Sequence, residues 1–164
     1  MTLTEAILDS WDRQCRIVAA VASRIDQSNR HVKPSDDGWP LDYHLAHMHH
    51  VRKEWLTKVD PERGTRVGDA FAVMWEEPLE DLDTIRRRLQ ESGRAVRDAV
   101  SDALAAGTGA VGGYDHPILF LQHMVWHDGW HVGLLFLGPR LAGQEPPPEW
   151  EEKNVWGDWR TEEW

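Results

Sequence analysis

Most of the nine histidines in this 164-residue chain fall into two short stretches, and no other feature constrains the fold as strongly. The later stretch is His123-Met124-Val125-Trp126-His127-Asp128-Gly129-Trp130-His131, a spacing of four and four. On an α-helix such residues share one face and drift by about 40° per step. Two histidines one turn apart can grip a metal ion from a rigid rod. His123 and His131 are two turns apart, roughly 12 Å along the axis, so a straight helix cannot bring all three to one ion. The pair His127 and His131 therefore calls for a third nitrogen from another element. The earlier stretch, His44-Leu45-Ala46-His47-Met48-His49-His50, offers it. His44, His47, His49 and His50 compete for that place. His47, whose face continues to Val51 and Glu54, is modestly favoured, and His49 is expected to face solvent. His123 is left as a ligand, a partner behind a ligand, or a pocket base. A single histidine on an apolar helix is usually a satisfied core residue. Three at one-turn intervals fit that reading poorly, because each neutral imidazole needs partners for two nitrogens.

The rest of the pattern is helical. Thr2-Leu3-Thr4-Glu5 has the spacing of a capping box and opens a helix over about 4–24, with Ile7, Trp11, Cys15 and Val18 on its apolar face. Trp39-Pro40 starts a second helix, about 40–59, that carries the first histidine stretch. Asp60-Pro61 stops it, a loop follows, and Ala70–Trp75 reads as a short turn. A third helix spans about 78–106. Asp115-His116-Pro117 caps a fourth over about 116–141, which Pro139 bends or ends. Beyond Gly143, Pro146-Pro147-Pro148 and the acid-flanked Trp150, Trp156 and Trp159 read as a tail over 143–164 that wraps back on the bundle, with an interchain contact as the rival. These elements predict an all-α, single-domain four-helix bundle over 1–164 with a Pro/Trp-rich tail packed on it. Bundle cores are also where side chains of facing helices converge on metals.

Composition removes several functions. The formal net charge is -10, and the one basic run, Arg86-Arg87-Arg88, reads as a solvated helix face, so nucleic acid is not an expected partner. No apolar run approaches the roughly 20 residues of a membrane span. Thr4, Glu5 and Asp9 interrupt any signal-peptide pattern, and the lone Cys15 excludes a disulfide within the chain, so a reducing cytoplasm is the expected setting. Cys15 reads as a small buried hydrophobe. Ten tryptophans against three phenylalanines and two tyrosines mean that indoles fill much of the core or line a pocket. Indole-rich bundle faces also suit a homodimer, which the sequence alone does not establish.

Two segments resemble the DinB/YfiT superfamily of four-helix metalloproteins. One is Trp39-Pro40-Leu41-Asp42-Tyr43-His44-Leu45-Ala46-His47, with Trp55-Leu56 later on the same helix. The other is His123 to His131 followed by Val132-Gly133. The family places a histidine eight residues after a tryptophan at the start of the second helix, and an H-x3-H pair followed by x-Gly in the last. Carried over by position, the resemblance implies His47, His127 and His131 as metal ligands, over a match of about residues 5–142. The family often has Arg and Gln where this chain has Val132 and Leu134, which removes polar groups near the site.

Three neutral histidines leave a divalent ion, Zn or Ni by preference, with an open position. Such an ion lowers the pKa of bound water towards about 7 and can equally activate a thiol. The resemblance implies both chemistries, since relatives are transferases or isomerases using low-molecular-weight thiols, or metal-dependent hydrolases. The expected protein is thus an enzyme acting on a small electrophilic substrate, with His123, Trp126 and Trp130 lining the pocket. The alternatives are a stress-associated scaffold whose ion fixes the bundle, and an interaction module built on the tail.

Overall fold

The computed structural model describes residues 1–162; Glu163 and Trp164, at the end of the expected tail, lie outside the described residues. Helix α1, Leu3–Ser23, opens with the expected capping box: the Thr2 hydroxyl accepts from the Glu5 N–H at 3.2 Å, and the Glu5 carboxylate accepts from the Thr2 N–H at 2.6 Å. Helix α2 spans Leu41–Val59 and follows Pro40 directly. Its end is not followed by plain loop. Asp60 accepts from the Arg63 N–H at 2.9 Å and Pro61 takes the first helical position, so a short helix α3 forms over Pro61–Arg66.

A second departure follows. Where a short turn was expected, strands β1, Phe71–Val73, and β2, Glu77–Pro78, pair antiparallel as a small hairpin. Pro78 belongs to that hairpin, so the next helix starts later than the sequence pattern suggests. Asp81 caps it by accepting from the N–H groups of Asp83 and Thr84, and α4 runs Leu82–Ala105. Helix α5, Pro117–Leu141, is capped by the His116 ring, which accepts from the Ile118 N–H at 3.2 Å. It runs on through Pro139 and ends two residues later.

The tail turns through α6, Pro148–Glu151, a π-helical turn over Glu152–Trp156 and a 3-10 turn over Gly157–Trp159. It packs on its own bundle. The Asp158 carboxylate accepts from Arg16 at 3.1 Å, Arg24 lies 5.5 Å over the Trp150 ring, and Val155 is buried.

Helices α1, α2, α4 and α5 form the bundle, with two apolar clusters inside it. One gathers Ile17, Leu41, Leu45, Met48, Ile85 and Leu135; the other gathers Trp11, Leu56, Val96, Phe120 and Met124. On α2, between Met48 and Leu56, sits Arg52, fully buried. Its guanidinium donates to Asp128 of α5 at 2.6 and 3.1 Å and to the Leu89 carbonyl of α4 at 2.9 Å. It also lies 5.0 Å over the ring of Trp11 on α1, whose own N–H reaches the Gly93 carbonyl at 2.8 Å. One side chain thereby touches all four bundle helices.

Two surface expectations are corrected. His49 is not solvated but wholly buried, with Nδ1 2.8 Å from the Arg88 carbonyl and Nε2 2.8 Å from the Gly68 carbonyl. Its face of α2 is covered by α4 and by the segment leading into the hairpin. Burial pushes its pKa down to about 4, against the opposing pull of the two carbonyls. The basic run is not a simple solvated face either. Arg87 is exposed, but Arg86 donates to the Ala22 carbonyl at 3.2 Å and also reaches the Ile25 carbonyl, closing the open end of α1.

Removing Arg52 leaves the Asp128 carboxylate buried without a counter-charge, which costs on the order of 3–5 kcal/mol. Arg52→Ala should therefore lower unfolding stability by about that amount in urea titration, with most of the loss recovered in a variant that also replaces Asp128 by a similar-sized apolar residue.

Candidate metal centre

Three helical positions converge near the middle of the bundle. His47 on α2 and His127 and His131 on α5 each present a ring nitrogen, and these three atoms lie within 4.8 Å of one another. The Nε2 atoms of His47 and His127 are 3.2 Å apart. Four ligands held tetrahedrally at about 2.0–2.1 Å from an ion would stand roughly 3.3 Å apart, so this pair already has the required edge. The Nδ1 atoms of both rings are buried with no hydrogen-bond partner among the described residues. Two imidazoles joined only through Nε2 satisfy one nitrogen each and leave the other buried nitrogen of each ring unpaired. The donor set fits a divalent metal ion.

His131 is tied down by a residue that the sequence reading left among competitors. Its Nδ1 lies 2.9 Å from Nδ1 of His44, one turn before His47 on α2. Were His131 to hold an ion through Nε2, its Nδ1 would carry the proton and donate it to His44. An orienting bond of this kind fixes both tautomer and ring direction. His44 thus stands behind the site rather than replacing His47 in it.

The Asp128 carboxylate plays a related part. One oxygen takes the Arg52 guanidinium; the other is buried, unpartnered among the described residues, and 3.7 Å from Nδ1 of His127. A carboxylate at that position favours a proton on Nδ1, which leaves Nε2 free for an ion.

Burial sets the charge state of these rings. It pushes His44 and His47 down to about 4 and His131 down to about 3, and the neighbouring imidazoles push the last two in the same direction. These rings are therefore neutral at pH 7, the form that ligates a metal.

The walls are aromatic. The ring of Trp39, just before α2, lies 5.0 Å from His47 and 4.7 Å from Tyr43. Across the β1–β2 turn, Trp75 lies 5.5 Å from His47 and 4.4 Å from His50. Trp75 has a φ of 64°, the left-handed region, which costs a non-glycine residue about 1–2 kcal/mol. The Tyr43 hydroxyl donates to its carbonyl at 2.9 Å and holds it there. Both indoles remain partly open to solvent.

His123 is not among the three converging rings. Its Nδ1 lies 2.7 Å from the Tyr114 hydroxyl, and its ring stands 5.5 Å from that of Trp55. His50 meets Trp75 and lies 3.8 Å from Glu54. Trp126 and Trp130 are largely exposed on α5. A cavity of about 360 Å³ between α1 and α4, lined by Cys15, Arg52 and Gly93 among others, contains none of the three histidines. Burial pushes the Cys15 thiol up to about 11, so it is protonated and unreactive at neutral pH.

With the bundle and the histidine cluster in place, comparison across families is decisive: the profile described as "DinB family" matches residues 1–161. The chain belongs to the DinB family. No curated protein and no solved structure gives a match. In this DinB chain Val132 is partly buried and packs against the first apolar cluster. A three-histidine cluster in a DinB bundle is compatible with metal binding, and no helix among the described residues is long and apolar enough to cross a membrane.

A histidine whose folded pKa lies below its ordinary 6.5 takes up its proton more readily in the unfolded chain. Between 6.5 and about 4, acid therefore favours unfolding through His44, His47, His49 and His131 together. Metal-free protein should keep full stability from these groups above pH 6.5 and lose it progressively down to about pH 4, as followed by thermal melts. His44→Phe should flatten that slope.

Proposed function

We propose that this DinB protein is a metal-dependent enzyme in which a divalent ion, Zn or Ni, is held by His47, His127 and His131. Bound there, the ion would activate a low-molecular-weight thiol or a water molecule for attack on a small electrophilic substrate. The observation that carries this reading is the convergence of three imidazoles, His131 buried and His47 and His127 half-buried, beside partly open indoles. An ion with three protein ligands keeps a position for an exogenous ligand, which a purely structural site does not need.

The protein's own groups then have distinct parts. His44 orients His131, and Asp128 orients His127. The Arg52 bonds hold the turn of α5 that carries His127. Trp39 and Trp75 exclude water from one side of the site and give an apolar substrate a surface to lie on. His123 stands one turn before His127, and burial holds its pKa below 6.5. A neutral imidazole bonded to the Tyr114 phenol can pass a proton in either direction, which suits a pocket acid or base.

Metal content measured by mass spectrometry on untagged protein tests the core of this reading. The wild type should carry about one equivalent of Zn or Ni per chain, and His127→Ala should lose it. A wild type that stays metal-free after loading with Zn, Ni, Mn and Fe would refute the site. A protein that binds metal but shows neither coordination of an added thiol nor a pH-dependent change from a bound water, both read from the visible spectrum of its cobalt form, would refute the enzymatic part and leave the scaffold reading. His44→Gln should weaken metal affinity by about 10–100-fold without unfolding the bundle, as measured by competition with a chelator.

A further inference from the structure

The cavity between α1 and α4 takes no part in the metal centre, and its charge runs against that of the chain. It encloses about 360 Å³, within the range of small-molecule sites. In a chain of net charge -10 its lining has four arginines, Arg16, Arg52, Arg86 and Arg94, and one carboxylate, Asp12, which is already paired with Arg97 at 2.9 Å. Arg97 of α4 meets Asp12 near the start of α1, and Arg86 meets the Ala22 carbonyl near its end, so the two helices run antiparallel. Arg16 and Arg94 therefore face each other at one end of the groove, beside Cys15 and Gly93. Towards the other end the walls are the aliphatic side chains of Ala19, Ala22 and Leu89. From Arg16 to Ser23 the groove follows about 10 Å of α1.

The charged end has donors to spare. Gly93 carries no side chain, and the Sγ of Cys15 and Nη1 of Arg52 lie 2.8 and 3.2 Å from where its Cβ would stand. Arg52 is wholly buried; Nη1 gives one N–H to the Leu89 carbonyl at 2.9 Å, and its second N–H has no acceptor among the described residues. Arg94, on the rim, makes no hydrogen bond or ion pair among the described residues. A carboxylate is already drawn to this end, since Asp158 of the tail accepts from Arg16 at 3.1 Å.

We propose that this groove is a second ligand site, separate from the histidines, and that its ligand is a medium-chain aliphatic carboxylate. The carboxylate stands between Arg94 and Arg16 above the spare N–H of Arg52, where charge-assisted hydrogen bonds hold it. The alkyl chain lies along Ala19, Ala22 and Leu89 and leaves water there. The narrow aliphatic walls suit a straight chain, and a single negative charge matches the one unpaired guanidinium of Arg94.

Isothermal titration of the untagged full chain with octanoate tests the site. The wild type should take up one octanoate per chain with a Kd below about 1 mM. Octanol, which has the same chain without the charge, should bind at least about tenfold more weakly, and Arg94→Glu should weaken octanoate by at least about tenfold. Ala19→Phe, which sets a ring where the alkyl chain lies, should abolish the binding heat, with the circular dichroism spectrum of both variants unchanged. His127→Ala should bind octanoate as the wild type does, whatever becomes of the metal. Loss of binding in His127→Ala would place the carboxylate at the histidines and overturn the proposal. So would the lack of saturable heat at millimolar octanoate, octanol binding as tightly as octanoate, or an affinity that survives both Arg94→Glu and Ala19→Phe.

Discussion

The ion pair between Arg52 and Asp128 is the contact on which the rest of the architecture turns. Two opposite charges are wholly buried at 2.6 Å from each other. Such a pair contributes little net stability against a hydrophobic replacement, because desolvation consumes most of the attraction. What it contributes is uniqueness of arrangement. Arg52 fixes the height of α2 against α5 through Asp128 and against α4 through Leu89, and its face packs on Trp11 of α1. Asp128 is the neighbour in sequence of His127. The register that satisfies the buried charges is therefore the register that brings His47 across from His127 and His131.

The polar chemistry around the centre follows one rule, that each buried ring must be neutral and must find partners. Four imidazoles in one pocket would repel if protonated, and burial keeps His44, His47 and His131 uncharged at neutral pH. Neutral rings then need acceptors and donors. His131 finds His44, and His49 finds two backbone carbonyls. His47 and His127 find each other only across the space an ion would occupy. The group left least satisfied within the chain is the one best suited to a metal.

The periodic parts of this molecule were legible in the sequence. The capping box at Thr2 and the one-turn spacing of His127 and His131 depend only on local geometry. The four long helices follow from apolar periodicity, and all four lie where that pattern puts them to within a few residues. The resemblance, rather than spacing, singled out His47. What stayed hidden is non-local. Nothing local marks Phe71–Pro78 as a hairpin, since five paired residues carry too little alternation and the pairing depends on Tyr43 and the underlying helix. His49 looked solvated because a helix with neighbours on two sides has no clean polar face. His44 could have been found, as it precedes His47 by one turn, but its partner is 87 residues away. The partnership of Asp128 with Arg52, 76 residues apart, has the same character.

The division of labour between the helices and the hairpin has an evolutionary consequence. The converging histidines sit on two long rods locked by buried charge, whereas one wall of the pocket hangs on a loop of a few residues, with Trp75 at its bend and a single tyrosine hydroxyl steadying it. Changes at the bend alter what can approach the centre without disturbing how the centre is built. A lineage carrying this frame is free to change what reaches the histidines by remodelling a handful of positions between β1 and β2, while the bundle that holds them is inherited intact.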